Sequence, residues 1–438
     1  LAFASKAIKA KQLPSRRFPM DLSKMHSYLR EQRKKAEESD LPLKSVRVID
    51  LGAVVAAPFA ATLLGDFGAE VIKIEPPGVP DAIRYWARVE NDMEPFWLVA
   101  SRNKLPITLN LKHPDAQRIL AELVKKSDVL FENMRPGTLD RLGFSSPELW
   151  KINKGLIIGR ISGYGQTGPS RNKPGFGTLA EGMSGYTYMN THPGTPPTNP
   201  PIPLADMVAG THLALGAMVA LRDQKRGERG GKEFEVSLYE PLLGYMGGQF
   251  LIYSLTGENP QPMGNESNFT SPRNSFQTRE GKWVALSASA QVPFERMMGL
   301  MGHSELKTTP GFRNNQERLQ SESRVVLNRI IGDWIRVRTL KEVLEECEKA
   351  GVTIGPVNTM EDIANDPHVR ERGSLASVYD PASGKTLSFP GAPVRFLKTP
   401  AKVRFPGLPM GAANELVLAD LLGYSSAEIG ELKAKGAI

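Results

Sequence analysis

Between residues 45 and 162, short apolar runs alternate with segments of helical spacing, and this alternation restricts the fold more than any other feature. Residues 45–51 read as a buried strand, 58–65 as the core of a helix and 70–75 as a second strand. Residues 107–111 and 128–132 are strand-like. Between them, 114–126 places Ile119, Leu120, Leu123 and Val124 on one helical face, and 156–162 extends the series. Such a βαβ succession predicts an α/β fold with a mostly parallel sheet covered on both faces and ligands at the carboxyl ends of its strands.

After Gly163 the pattern breaks into Gly- and Pro-rich sequence through Pro203, which reads as loops. Helical sequence returns at 206–221, a strand follows at 233–238 and a helix at 239–256, and 257–274 reads as a linker. Beyond it lies a smaller α+β region with a strand at 283–287 and helices near 293–301, 323–336 and 340–350. Residues 1–44 read as a flexible N-terminal extension. Residues 1–19 hold Lys6, Lys9, Lys11, Arg16 and Arg17 and no acid, so without them the formal charge of +8 drops to +3, ordinary for a globular enzyme. No nucleic-acid partner is therefore expected. The extension is open to three readings: a processed terminus of the mitochondrial targeting kind, a non-standard start, or a true start at Met20. Apolar stretches such as 213–221 fall short of the roughly 18–20 residues of a membrane span, so no membrane partner is expected. The one cysteine, Cys347, suits a reducing compartment, and a cytoplasmic location is expected over a mitochondrial one.

Several familiar chemistries find no support. Gly163-Tyr-Gly-Gln-Thr-Gly168 matches the GxGxxG pattern, but Pro169 and Pro174 follow where a dinucleotide-binding helix should open. Gly182-Met-Ser-Gly185 has the wrong spacing for a hydrolase nucleophile. The six histidines lack metal-ligand spacing, and no metal site is expected. Asp206, between Pro203-Leu-Ala205 and a helical run, reads first as a helix N-cap. The same position keeps a carboxylate ionised, as a nucleophile attacking a thioester requires.

Longer blocks carry a resemblance. Arg47-Val-Ile-Asp-Leu51, Ala57-Pro58 and 64–75 (Leu-Gly-Asp-Phe-Gly-Ala-Glu-Val-Ile-Lys-Ile-Glu) are followed by Asn103-Lys104, Phe131-Glu-Asn133, Pro136-Gly137, 139–144 and Ser162-Gly-Tyr-Gly-Gln-Thr-Gly-Pro169. Pro203-Leu-Ala-Asp206 with Gly210, Gly355-Pro-Val357, Asp366-Pro367 and Pro390-Gly-Ala-Pro393 complete the order. Together they resemble the class III coenzyme A transferases, the CaiB/BaiF or formyl-CoA transferase family, over 45–438. The resemblance implies a Rossmann-like large domain (45–256) completed by residues 390–438. It also implies a linker (257–274), a small α+β domain with its return linker (275–389), and an interlocked homodimer or a pairing with a similar chain.

In the implied mechanism, Asp206 attacks an acyl-CoA carbonyl, forming a mixed anhydride and freeing the thiolate. The thiolate then attacks the anhydride, which yields an aspartyl-CoA thioester, and an acceptor acid reverses the sequence. Acyl-CoA and a small carboxylic acid are the expected substrates, with succinyl-CoA favoured as donor and no permanently bound cofactor. Matching positions place CoA contacts at Val55, Ala56, Leu109, Asn110, Leu111, Lys112, Asn133, Met134, Arg135, Arg141, Ile161, Ser162, Gly163 and Tyr164, with Trp86 near the pantetheine path. Read alone, Lys112 and Arg141 are equally surface charges. Val55 and Pro76 stand where some members carry a Gln and an Arg. The consecutive-glycine loop of formyl-CoA:oxalate enzymes is absent, which disfavours oxalate as acceptor. An α-methylacyl-CoA racemase needs a His-Asp pair in a Gly-His-Asp context where this chain reads Gly175-Phe-Gly177. That enzyme, and a non-catalytic CoA-binding subunit, are the alternatives.

Overall fold

The structure, a computed structural model, describes residues 22–87, 93–225 and 230–438; most of the basic N-terminal segment, Met20 included, lies outside them. In chain order, the elements that frame the candidate site are α1 (Leu22–Glu37), β1 (Arg47–Asp50), α2 (Ala56–Asp66), β2 (Glu70–Glu75), β3 (Lys104–Thr108) and α3 (Pro114–Lys125). They continue with β4 (Val129–Glu132), β5 (Ile157–Ser162), α4 (Gly177–Met183), α5 (Leu204–Lys225) and β6 (Lys232–Ser237). The six strands pair in parallel in the order β3-β2-β1-β4-β5-β6. This is the doubly wound Rossmann order, whose direction of progression reverses between β1 and β4. Ile49 sits level with Ile72 on one side and Leu130 on the other. Apolar side chains on both faces of these strands are buried, as a sheet covered by helices on two sides requires.

Contacts divide the described residues into two compact units, one of those up to 180 with those within 202–242 and 371–438, the other of 181–201 and 243–370. The first contains the parallel sheet. Its C-terminal segment docks on the edge strand: Asn414 bonds to both the N–H and the hydroxyl of Thr108 at 2.8 Å, and Asn110 N–H donates to Ala437 O at 2.8 Å. The second unit packs an antiparallel sheet (Arg273–Gln277, Trp283–Ser287, Ile354–Pro356) with helices Gln291–Leu300, Ser321–Arg336 and Leu340–Ala350 around Phe276, Phe294, Ile331 and Cys347.

Several elements differ from the sequence expectation. The stretch read as a flexible extension contains α1, which buries Met25 and Leu29 in the core and ties Arg30 to Asp420 through two bonds of 2.6 and 2.7 Å. The third strand runs 104–108 rather than 107–111, with Pro106 tolerated because β3 is a sheet edge. The Gly- and Pro-rich loops contain α4 and a further short helix, Tyr186–Met189. The helix expected over 239–256 is split into Glu240–Tyr245 and Gly247–Thr256. The unit boundaries also fall elsewhere than 256, 274 and 389: the hairpin of Leu375–Asp380 and Lys385–Pro390 buries Val378 and Phe389 against Leu98 and so joins the first unit. Finally, Leu204–Gln224 of α5 is long and apolar enough to cross a membrane by length and composition. One face of that helix, with Ala205, Ala209, Leu213, Ala217 and Ala220, is buried in packing against α2 and β5.

Candidate active site

The reversal of strand order opens a crevice at the carboxyl ends of β1, β4 and β5, and a cavity of about 510 Å³ occupies it. One wall is the loop after β1, residues 52–55. Four groups hold this loop. Asp50 accepts the Gly52 N–H at 3.0 Å, and the Lys73 ammonium donates to Gly52 O. Asp81 accepts the Val54 N–H with both oxygens at 3.0 Å, and Asn133 bonds both the N–H and the carbonyl of Ala53 at 2.8 Å. Val54 adopts φ +64°, a left-handed conformation that costs a β-branched residue roughly 1–3 kcal/mol. The surrounding bonds oppose that strain. Beneath the loop, Lys104 bonds Asp50 at 2.8 Å and Pro58 O at 2.6 Å, and burial lowers its pKa to about 8 despite the carboxylate.

Asn133→Ala would free this loop from the end of β4. Losing the two bonds to Ala53 is expected to cost about 1 kcal/mol of stability and to raise KM for acyl-CoA roughly fivefold, with a smaller change in kcat. Steady-state kinetics alongside thermal melts would check both.

The residue before it, Glu132, is buried and bonds the Met134 N–H at 2.6 Å and Arg160 at 3.3 Å. Burial outweighs both partners and raises its pKa to about 7 from an ordinary 4.5. The folded state therefore binds more protons than the unfolded chain between pH 4.5 and 7. Glu132 thus contributes stability that is full below pH 4.5 and lost as the pH rises through 7. Glu132→Gln is expected to flatten the decline across this window, on the order of 1–3 kcal/mol, in urea midpoints measured at several pH values.

Asp206 enters the cavity from the first turn of α5, three residues into the helix and so inside the N-cap position that the sequence suggested. The helix N-terminus favours a negative charge there. Two close approaches place it. A Cβ on Gly210 would fall 2.5 Å from Ala56 O, so α5 lies directly on the start of α2. On the other side, Gly163 after β5 packs backbone to backbone on Gly175, where a Cβ on either would fall 2.5–2.6 Å from the other's Cα. This contact carries Gly177 onto the carboxylate: a Cβ at Gly177 would lie 2.0 Å from Asp206 Oδ2.

Of the residues expected in the site, the cavity gathers Val55, Ala56, Asn133, Met134, Arg135, Ile161, Ser162, Gly163 and Asp206, together with Trp86. The Ser162 hydroxyl is buried with no hydrogen-bond partner among the described residues. Leu109, Asn110, Leu111 and Lys112 lie outside this cavity, after the edge strand β3, two strands away from β1. Arg141 and Tyr164 lie outside it too; Arg141 is exposed and bonds the Thr138 hydroxyl at 2.9 Å. The cavity adds Arg171, Lys173 and Gly177, which sequence reasoning missed, although Arg171-Asn-Lys173 stands out as a basic turn in an otherwise Gly- and Pro-rich loop. Among the described lining residues, Asp206 is the only acid, against three cations, and none is a histidine. The arrangement suits an anionic ligand that brings an electrophile to one carboxylate.

Known proteins share this organisation. The sequence model of CoA-transferase family III matches residues 43–414. The chain is 38% identical over 398 residues to a succinyl-CoA–D-citramalate CoA-transferase of Chloroflexus aurantiacus, covering 91% of this chain and 98% of that one. It is also 38% identical over 401 residues to the beta subunit of a succinyl-CoA–L-malate CoA-transferase of the same organism, with the same coverage. A CAIB/BAIF family protein from Brucella suis superposes with a TM-score of 0.76 at 26% identity, covering 87% of this chain and 99% of that one. With its Rossmann-order sheet and its switch-point cavity, the chain belongs to CoA-transferase family III, the CaiB/BaiF proteins, and is a CoA transferase.

Proposed function

We propose that this enzyme moves CoA from succinyl-CoA to a dicarboxylic acid of four or five carbons through covalent intermediates on Asp206. An Asp206 carboxylate oxygen attacks the thioester carbonyl, the C–S bond breaks, and a mixed anhydride and CoA thiolate form. The thiolate attacks the aspartyl carbonyl, the anhydride C–O bond breaks, and succinate leaves an aspartyl-CoA thioester behind. The acceptor carboxylate attacks that thioester and releases the thiolate. The thiolate then attacks the acceptor's carbonyl, giving the new acyl-CoA and regenerating the Asp206 carboxylate.

One observation carries this reading: among the described lining residues Asp206 is the single acid beside three cations, wedged against a glycine that leaves its oxygen room. Arg135, Arg171 and Lys173 supply counter-charge for the phosphates of CoA and the distal carboxylate of a diacid. The relatives named for succinyl-CoA with citramalate or malate favour diacids on both sides of the exchange. A cavity wall without histidine disfavours the two-base proton exchange of a racemase. The second unit's helix Gly247–Thr256 buries none of its residues, and Phe250, Leu251, Tyr253 and Leu255 are all at least half exposed, which fits an apolar face covered by a second copy in a homodimer.

To test the reading, the purified chain is incubated with succinyl-CoA and a panel of malate, citramalate, glutarate, oxalate and acetate, and products are followed by liquid chromatography and mass spectrometry. Release of succinate matched by new diacid thioesters is expected. Acetate serving as well as the diacids would remove the diacid assignment. Exchange of an α-proton with solvent in the absence of acid transfer would favour the racemase.

A further inference from the structure

A second cavity, of about 270 Å³, lies at the opposite end of the parallel sheet, between α1 and the first residues of β1 and β2. Its wall is part apolar, with Leu29 and Ala36 from α1 beside Val71, Leu105 and Phe405 from the body of the unit. Its charges do not balance. Glu70 receives both Arg33, at 2.8 Å, and Arg47, Glu37 is a further partner of Arg33 at 3.3 Å, and Asp128 accepts the backbone N–H of Arg47 at 2.7 Å, while Lys44, Lys126 and Arg404 add three more cations to the wall. Arg404 has no carboxylate within ion-pair distance among the described residues. Its Nη2 donates to the carbonyls of Gly65 at 3.1 Å and Ala69 at 3.5 Å, and its Nε is buried with no acceptor. Burial pulls the pKa of this guanidinium below its ordinary value. A partly buried guanidinium whose direct partners are neutral carbonyls and whose Nε lacks an acceptor, with Asp66 and Glu70 acting on it only at longer range, is costly, and an anion seated beside it would relieve that cost.

We propose that this cavity is a binding site for a small organic carboxylate with an apolar body, whose carboxylate pairs with Arg404 while its body lies against Leu29, Leu105 and Phe405. The apolar part of the wall separates such a ligand from inorganic phosphate, which has nothing to bury there. It also separates it from a short diacid, whose second carboxylate would be stranded on the apolar side. The site is built from α1 and the amino ends of the strands, so it is distinct from the cavity at their carboxyl ends where Asp206 lies.

Titration calorimetry on the full chain, with phenylacetate as the probe and succinate and inorganic phosphate as comparisons, tests this directly. Phenylacetate is expected to bind once per chain, more tightly than either comparison, and equally well when CoA is saturating. Arg404→Gln is expected to weaken it by roughly tenfold or more. Ala36→Trp, which fills the cavity from α1 and leaves Arg404 in place, is expected to abolish binding, and it decides the matter if Arg404→Gln fails to fold. Absence of phenylacetate binding, equal binding of phosphate, displacement by CoA, or unchanged binding in the folded variants would each overturn the assignment.

Discussion

Asp206→Asn is expected to lower kcat for CoA transfer by on the order of 10⁴-fold or more, while the protein still folds and still binds CoA. The substitution is nearly isosteric and keeps a polar side chain in the first turn of α5, so its structural cost is that of one charge at a helix N-terminus. That is about 0.3–1 kcal/mol, a shift of a few degrees in the thermal midpoint at most. The two possible roles of this residue therefore separate by orders of magnitude. A carboxylate that only stabilised the helix end would leave kcat within a factor of a few when replaced. Thermal melts and CoA titrations on the same preparation distinguish a lost nucleophile from a lost fold.

Gly177→Ala is expected to have the next largest effect, a fall in kcat of about 100-fold with KM for acyl-CoA changed by less than about threefold. The added methyl would stand 2.0 Å from Asp206 Oδ2, closer than any contact tolerates. What yields is the end of a flexible side chain rather than backbone, so the fold survives and the carboxylate turns away. Binding of CoA, which does not need the oxygen in one place, persists. Attack on the thioester does need it, and a displacement of about 1 Å at a reacting atom is enough for a loss of this size. If kcat and the thermal midpoint fell together, Gly177 would be serving the packing of α4 instead.

Much of the fold was legible in the sequence because burial on both faces leaves a strong signature. The runs that became β1, β2, β4 and β5 each centre on buried apolar residues such as Val48, Ile49, Val71, Ile72, Leu130 and Ile158, and the helical spacing of Ile119, Leu120, Leu123 and Val124 marked α3. At the sheet edge the signature fails. Lys104 is buried through its ion pair with Asp50, and Pro106 sits inside β3, so the local pattern pointed three residues too late. In α1 the buried Met25 and Leu29 are outnumbered by charged neighbours whose partners, Asp420 and Glu70, lie far along the chain.

The candidate site divides in the same way. Asp206, the loop after β1, the Asn133 turn and the residues after β5 were found because they lie in contiguous blocks that carry the resemblance, and the switch point brings them to one cavity. Gly177, Arg171 and Lys173 were missed. Their place depends on the contact between Gly163 and Gly175, an approach of two loops that no periodicity encodes. Arg404 shows the same limit, since only the fold places it beside a cavity with no carboxylate in ion-pair distance of it among the described residues.

The central claim is that the Asp206 carboxylate becomes covalently bonded during transfer. The chain is incubated with succinyl-CoA, trapped with hydroxylamine or borohydride, digested, and searched for the modified residue by mass spectrometry. A hydroxamate or a reduced side chain at Asp206, formed only when acyl-CoA is present and absent from Asp206→Asn, is the predicted result. Modification of a different residue, or an unmodified Asp206 in an enzyme trapped during turnover, would contradict it.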